Sequence, residues 1–236
     1  MLLNGHKILY FGHSAFLIVS QKGKTILIDP WISNPANNKN LESVAKEVDY
    51  ILITHGHNDH VGDAVEIAKN YNSEIISNFE ITNYLSSKGI SKLSGMNIGG
   101  TLRRGEISFT MVEASHSSTI IEGERSIPGG NPSGFVITLE DGFKIYHMGD
   151  TGLFGGLNYI VELYKPDLVM IPIGGHYTMG VEEAAYALKI LKPSIIIPMH
   201  YKTFPVIEAD PEKLIELLPS ELKEKVKILK PGDLLE

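Results

Sequence analysis

Tyr50-Ile51-Leu52-Ile53-Thr54-His55-Gly56-His57-Asn58-Asp59-His60 is the stretch on which the reading of this chain turns. Its apolar first half reads as a buried strand. Its second half packs three imidazoles and a carboxylate into six residues. Loops at strand ends are where a rigid sheet presents reactive groups. Packing gives no reason for four metal-competent side chains to cluster there, and imidazole with carboxylate suits zinc and similar first-row dications. The segment is therefore read as part of a two-metal centre rather than as a His-rich surface turn.

Working outward, further candidate ligands stand just beyond other apolar runs. His116 follows Ile107–Glu113, Asp150 follows Lys144–His147, and His200 ends Ile195-Ile196-Ile197-Pro198-Met199. Alone, each reads as a polar residue closing a turn. If those strands share a direction, their ends gather at one sheet edge and the ligands meet.

The wider pattern is alternation of short strands and helices. Strands are expected at Lys7–Tyr10, Ala15–Val19, Thr25–Ile28, Tyr50–Ile53, Glu74–Ile76, Ile107–Glu113, Gly134–Leu139, Lys144–His147, Leu168–Pro172 and Ile195–Pro198, bounded by Gly, Pro, Asn or Asp. Glu140-Asp141-Gly142 reads as a hairpin turn. Leu157, Ile160, Val161 and Tyr164 keep helical spacing, as do Val181, Ala184, Ala185 and Leu188, where Pro193 is the stop. Asp210-Pro211 reads as a helix cap with proline at the first turn, and Ala64, Ile67 and Ala68 mark a short helix. Two sheets flanked by helices accommodate these elements.

Composition narrows the class. The chain has 236 residues, 43% apolar and 21% charged, and no cysteine. That is ordinary globular usage without disulfides or thiolate metal sites, and a cytoplasmic setting is the default. No signal peptide and no membrane span is expected. A net charge of −7 argues against a nucleic-acid surface. The expected partner is a small molecule; oligomeric state is not legible.

The order His55-x-His57-x-Asp59-His60, His116, Asp150, His200 resembles the metallo-β-lactamase superfamily. The resemblance covers nearly the whole chain. It implies an α+β fold, an αββα four-layer sandwich of two packed β-sheets flanked by helices, as one domain over residues 1–236. It also implies two divalent ions. His55, His57 and His116 would hold the first, Asp59, His60 and His200 the second, and Asp150 would bridge both beside a hydroxide. Zinc is the first expectation and manganese the second. Gly12-His13-Ser14-Ala15-Phe16, Leu27-Ile28-Asp29-Pro30, Gly130-Asn131-Pro132, Gly149-Asp150-Thr151 and Pro172–Met179 look like a group of metal-dependent hydrolases similar to the L-ascorbate-6-phosphate lactonase branch. Flavodiiron proteins carry Glu where this chain has His57, and class B1–B3 β-lactamases lack an equivalent of Asp150.

Two dications, two carboxylates and one hydroxide leave a site of about +1, which favours an anionic substrate. The bridging hydroxide would attack an ester, lactone or phosphodiester. Asp59 and Asp150 thus count as catalytic residues, with His176 as general acid or substrate contact. His13 and Asn131 are the other expected substrate contacts. Asp29 is expected to orient a ligating imidazole, His147 to be structural, and His6 to lie on the surface. The residues leave open a non-catalytic metal- or ligand-binding protein and a redox dimetal protein; His57 opposes the latter.

Overall fold

In the computed structural model, which describes residues 2–43 and 45–236, fifteen strands and seven α-helices follow one another. The strands are β1 (Lys7–Gly12), β2 (Ala15–Val19), β3 (Thr25–Ile28), β4 (Tyr50–Leu52), β5 (Glu74–Asn78), β6 (Leu93–Met96), β7 (Thr101–Arg104), β8 (Ile107–Glu113), β9 (Thr119–Glu122), β10 (Arg125–Pro128), β11 (Ser133–Thr138), β12 (Lys144–His147), β13 (Leu168–Pro172), β14 (Ile195–Met199) and β15 (Leu234–Leu235). The helices are α1 (Asn58–Val61), α2 (Ala64–Tyr71), α3 (Phe79–Ser87), α4 (Leu157–Tyr164), α5 (Val181–Leu191), α6 (Pro211–Leu217) and α7 (Ser220–Lys223). They form two compact units. The first comprises residues 1–98, 117–132 and 230–236, and the second residues 99–116 and 133–229.

The first unit holds a seven-stranded sheet in the order β15-β1-β2-β3-β4-β5-β6, with β9 and β10 as a separate hairpin. One core lies between this sheet and its helices. Alternate strand residues supply one side: Leu9, Phe11, Leu17, Leu27, Ile51, Ile53 and Ile75. Ala64, Ile67 and Ala68 of α2 and Ile81 and Leu85 of α3 supply the other. The period of two in strands and of three to four in helices puts these side chains on facing surfaces. Each large apolar side chain buried this way contributes about 1.5–3 kcal/mol.

The second unit holds a six-stranded sheet in the order β14-β13-β12-β11-β8-β7. Val112, Val136, Tyr146, Val169, Ile171 and Ile196 face Leu157 and Ile160 of α4, Ala184, Leu188 and Leu191 of α5, and Leu214 of α6. Asp210 caps α6 by accepting from the Glu212 N–H at 3.1 Å. Lys192 closes α5 in a left-handed conformation immediately before Pro193.

Strand direction is what positions function. In the first sheet β1 and β3 are both antiparallel to β2, while β3, β4 and β5 are mutually parallel. The carboxyl ends of β1, β3 and β4 therefore leave by one edge and deliver His13, Asp29 and the His55–His60 segment. In the second sheet β8 and β12 are both antiparallel to β11, and β12, β13 and β14 are parallel. His116, Asp150, His176 and His200 thus all follow strands that end at one edge.

The α+β class with two large sheets and flanking helices agrees with the sequence reading. All ten expected strands form, within two residues at each end. Five strands were not anticipated: β6, β7, β9, β10 and β15. The surface assignment of His6 is corrected. His6 is fully buried, and its Nδ1 accepts from the Gln21 N–H at 2.9 Å, so the ring closes the β2 end rather than facing water. His147 is buried in β12 and its Nδ1 accepts from the Gly149 N–H at 3.2 Å, the structural role expected of it. Among the described residues no helix is long and apolar enough to cross a membrane.

Candidate metal centre

In the first unit the His-rich segment is not wholly a loop. Asn58, Asp59 and His60 open the four-residue helix α1, whose single turn points His60 inward and leaves Asp59 half-buried. Gly62 ends that turn at φ +45°. A Cβ there would lie 2.6 Å from the Trp31 Cα, so only glycine lets the turn press against the strand-end segment Pro30-Trp31.

A buried carboxylate organises the imidazoles from behind. Asp29 accepts from the Thr54 N–H at 2.9 Å and from the Thr54 hydroxyl at 2.8 Å. Its Oδ2 is 2.7 Å from His60 Nδ1, and both side chains are fully buried. Thr54 Oγ1 also lies 3.0 Å from His55 Nδ1. Both rings are thereby held through Nδ1, which turns each Nε2 to the opposite side. A hydrogen bond to the ring nitrogen away from a metal fixes the tautomer of a ligating histidine.

On that opposite side the donor atoms converge. His55 Nε2 is 2.9 Å from His57 Nδ1. His60 Nε2 is 3.8 Å from Asp59 Oδ2. His13, after β1, places Nε2 2.9 Å from the same oxygen. The Gly56 N–H donates to Ser118 Oγ at 3.0 Å, and the Ser118 hydroxyl donates to the Gly129 carbonyl at 2.8 Å, which ties the segment to the β9–β10 hairpin. Ser117 Oγ is 3.3 Å from His57 Nε2.

In the second unit, His200 Nε2 lies 2.9 Å and His116 Nε2 3.6 Å from one oxygen, Asp150 Oδ2. Asp150 and His200 are buried and His116 half-buried. His200 adopts φ +56°. Gly174, two residues beyond β13, passes so close to the His200 carbonyl that any Cβ there would collide with it. The Ser115 N–H donates to Thr151 Oγ1 at 2.9 Å, which links the loops carrying His116 and Asp150.

Imidazole nitrogens paired across short gaps with one another and with carboxylate oxygens form the donor set that a first-row dication takes. Each unit therefore fits a metal-binding role. The seven expected ligands fall into two assembled sets: His55, His57, Asp59 and His60 in the first unit, and His116, Asp150 and His200 in the second. Asp29 stands behind His60, a candidate ligand, as the sequence reading expects. His13 was expected to meet substrate; its ring is buried and turned onto Asp59. His176 is exposed, with its ring edge-on to Tyr177 at 4.6 Å between centroids. Asn131 is exposed, and its backbone carbonyl accepts from Asn78 Nδ2 at 3.0 Å. Sequence reasoning missed Thr54, Ser117 and Ser118. Their one signal is adjacency, a hydroxyl beside His55 and two beside His116.

A family model described as a Beta-lactamase superfamily domain matches residues 7–200. A UPF0173 metal-dependent hydrolase of Methanosphaera stadtmanae is 50% identical over 231 residues, covering 96% of this chain and 97% of its own. The chain belongs to the metallo-β-lactamase superfamily, in a family of metal-dependent hydrolases. A second family member, from Staphylothermus marinus, is 47% identical over 231 residues and 96% of each chain. The solved structure of Igni18, a metallo hydrolase of Ignicoccus hospitalis, is 40% identical with a TM-score of 0.87, covering 98% of this chain and 97% of that one. These hydrolases bear the broad family name rather than that of the ascorbate-phosphate lactonase branch.

Proposed function

We propose that the two ligand sets act as one dinuclear centre of a hydrolase that cleaves an ester, lactone or phosphodiester bond in a small anionic molecule. His55, His57 and His116 would hold one ion and Asp59, His60 and His200 the other, with Asp150 between them. Zinc is the first candidate and manganese the second, because imidazole and carboxylate suit both. When bound, such ions lower the pKa of water toward neutrality and offset negative charge that develops on the substrate.

The observation that carries this reading is His60, held from behind by a buried carboxylate at 2.7 Å while its other nitrogen faces Asp59. A purely structural histidine has no need of a second carboxylate on its open side. The protein's own groups then divide the work. Asp29 and Thr54 hold His60 and His55 in ligating orientation, so little reorganisation is left for the reaction. Asp59 and Asp150 lower the positive charge of the centre without cancelling it, which selects anions. His176 is assigned proton donation to the leaving group, since it is exposed just beyond β13. Asn131, in the segment after β10, is assigned a substrate contact through its amide. The setting proposed is the cytoplasm, with no nucleic-acid partner.

The test is ion analysis of the purified protein followed by turnover on bis(p-nitrophenyl) phosphate and a lactone panel. Two ions per chain and hydrolysis of either substrate class are expected. Two ions with no hydrolysis across both panels would sink the catalytic claim. His176→Ala is expected to slow turnover most on substrates with poor leaving groups, by about 100-fold; equal loss on good and poor leaving groups removes the proton-donor role.

A further inference from the structure

We propose that His13 is an additional protein ligand of the ion held by Asp59 and His60, giving that ion one more imidazole than the superfamily pattern supplies. The inference rests on the dinuclear reading above and concerns one residue within it.

Three observations within the first unit converge. The first is topological: β1 ends at the same sheet edge as β3 and β4, so the turn after β1 emerges beside the His-rich segment. The second is burial. His13 is 1% exposed, which takes its ring away from a substrate arriving from solvent. The third is geometry. His13 Nε2 lies 2.9 Å from Asp59 Oδ2, and that oxygen is 3.8 Å from His60 Nε2. The ligand atoms of His13, Asp59 and His60 all lie within 4.8 Å of one another.

Two donors to one first-row dication, each about 2.0–2.1 Å from it, stand about 2.9 Å apart at a right angle and about 4.1 Å apart when opposed. The separations of 2.9 and 3.8 Å both fall in that interval. A simple imidazole–carboxylate hydrogen bond explains the first and leaves His60 unexplained. His60 is directed at the same oxygen by Asp29, which holds its Nδ1. A single cation among the three accounts for both rings.

The backbone holds His13 to this task. It adopts φ +55°, in the left-handed region that few non-glycine residues enter, histidine being among those that do so most readily. The Tyr10 hydroxyl donates to the His13 carbonyl at 3.0 Å, and the Trp31 ring lies edge-on at 5.2 Å between centroids. These contacts hold the backbone of His13 and flank its ring on the side of Trp31.

The competing role is that of a positioning residue, with His13 donating to Asp59 without touching an ion. The experiment loads the full-length wild type, His13→Gly and His13→Asn with cobalt(II) or zinc. It then measures ions per chain, stepwise affinities, and imidazole scattering by X-ray absorption. Glycine and asparagine both tolerate the left-handed backbone, and circular dichroism checks that each variant is folded. Two ions in the wild type are expected. In both variants one affinity should fall by more than about 100-fold, beyond the usual effect of losing a group that touches only a ligand, while the other holds. The mean number of imidazoles per ion should fall with it, and added free imidazole should restore the lost affinity of His13→Gly. A folded His13→Gly with both affinities intact overturns the proposal. So does a weakened ion whose imidazole count in the loaded variant equals that of the wild type, which makes His13 a positioning residue. A wild type that takes up no divalent ion overturns the dinuclear reading itself.

Discussion

Four of the first unit's five candidate ligands come from one six-residue segment, with His13 joining them from the end of β1, whereas the three of the second unit come from the ends of three different strands. The first set is local. Its shape depends on one helical turn and on polar contacts behind it: Asp29 with Thr54 and His60, and Ser118 with Gly56. The second set is non-local. His116, Asp150 and His200 meet only because β8, β12 and β14 run the same way through β11 and β13 in fixed register. One half of the donor set is thus held by hydrogen bonds and the other by sheet architecture. Perturbations should expose the difference.

The largest effect is expected at Asp150, the one carboxylate on which the second set is centred. On the dinuclear reading, Asp150→Asn should weaken retention of both ions by about 100-fold or more, since it removes a negative charge that both would share. Dialysis followed by elemental analysis reads this. Retention of one ion at full affinity would show that Asp150 serves a single ion and is not a bridge.

A smaller effect is expected at the polar support of the first set. Asp29→Asn should lower ion affinity by about 10–100-fold, with Thr54→Val following in the same direction. Competitive titration with a metal chelator is the measurement. If neither changes affinity, the first set is as independent of its hydrogen bonds as the second, and the contrast drawn here fails.

The smallest effect is expected at the opposite edge of the same sheet. Asp49, just before β4, accepts from the Thr25 N–H and hydroxyl and from Lys24, binding the start of β4 to the start of β3. Burial by itself raises the carboxyl pKa, but the bonds from Lys24 and Thr25 outweigh it and hold the value below the ordinary one. A carboxylate depressed on folding adds stability above its unfolded pKa of about 3.9, and that stability is lost as pH falls through the folded value. Asp49→Asn should therefore cost about 1 kcal/mol near neutrality and progressively less below about pH 4, with ion content unchanged. Urea melts across pH check the sign. A constant deficit at all pH values would mean that the loss is steric rather than electrostatic.

The same contrast explains what could be read from the sequence. The local set was legible because its residues are neighbours in the chain. The dispersed set was legible only with the superfamily pattern, because nothing in the neighbourhood of His116 or His200 announces the strand order. The central strands stood out through apolar runs such as Ile195-Ile196-Ile197. The missed strands are peripheral or mixed in character. β7, Thr-Leu-Arg-Arg, alternates exposed and half-buried at a sheet edge, β6 carries Gly95, and β9 and β10 form a two-stranded hairpin rich in charge. Helix α3 was missed because Ile81, Thr82 and Tyr84 favour strands. The Asn78 cap, accepting from the Ile81 N–H at 2.9 Å, and the spacing of Ile81 and Leu85 were its available signals. His6 misled because a histidine beside Asn4 and Gly5 ahead of the first strand looks like surface, whereas tertiary packing encloses it. Thr54 and Ser118 carry no chemistry of their own and acquire meaning only beside Asp29 and Gly56.

One pairing has a bearing on aggregation. β15 closes the flank of β1 through Ile8 opposite Leu235 and Leu9 opposite Leu234, and Lys7 meets Glu236 at 2.9 Å. Until that short strand is seated, the apolar ribbon Ile8-Leu9-Tyr10-Phe11 offers an unprotected row of amides to any neighbouring chain. A substitution that keeps β15 from pairing, such as Leu234→Pro, should therefore leave a product prone to clump rather than one merely lacking a short strand.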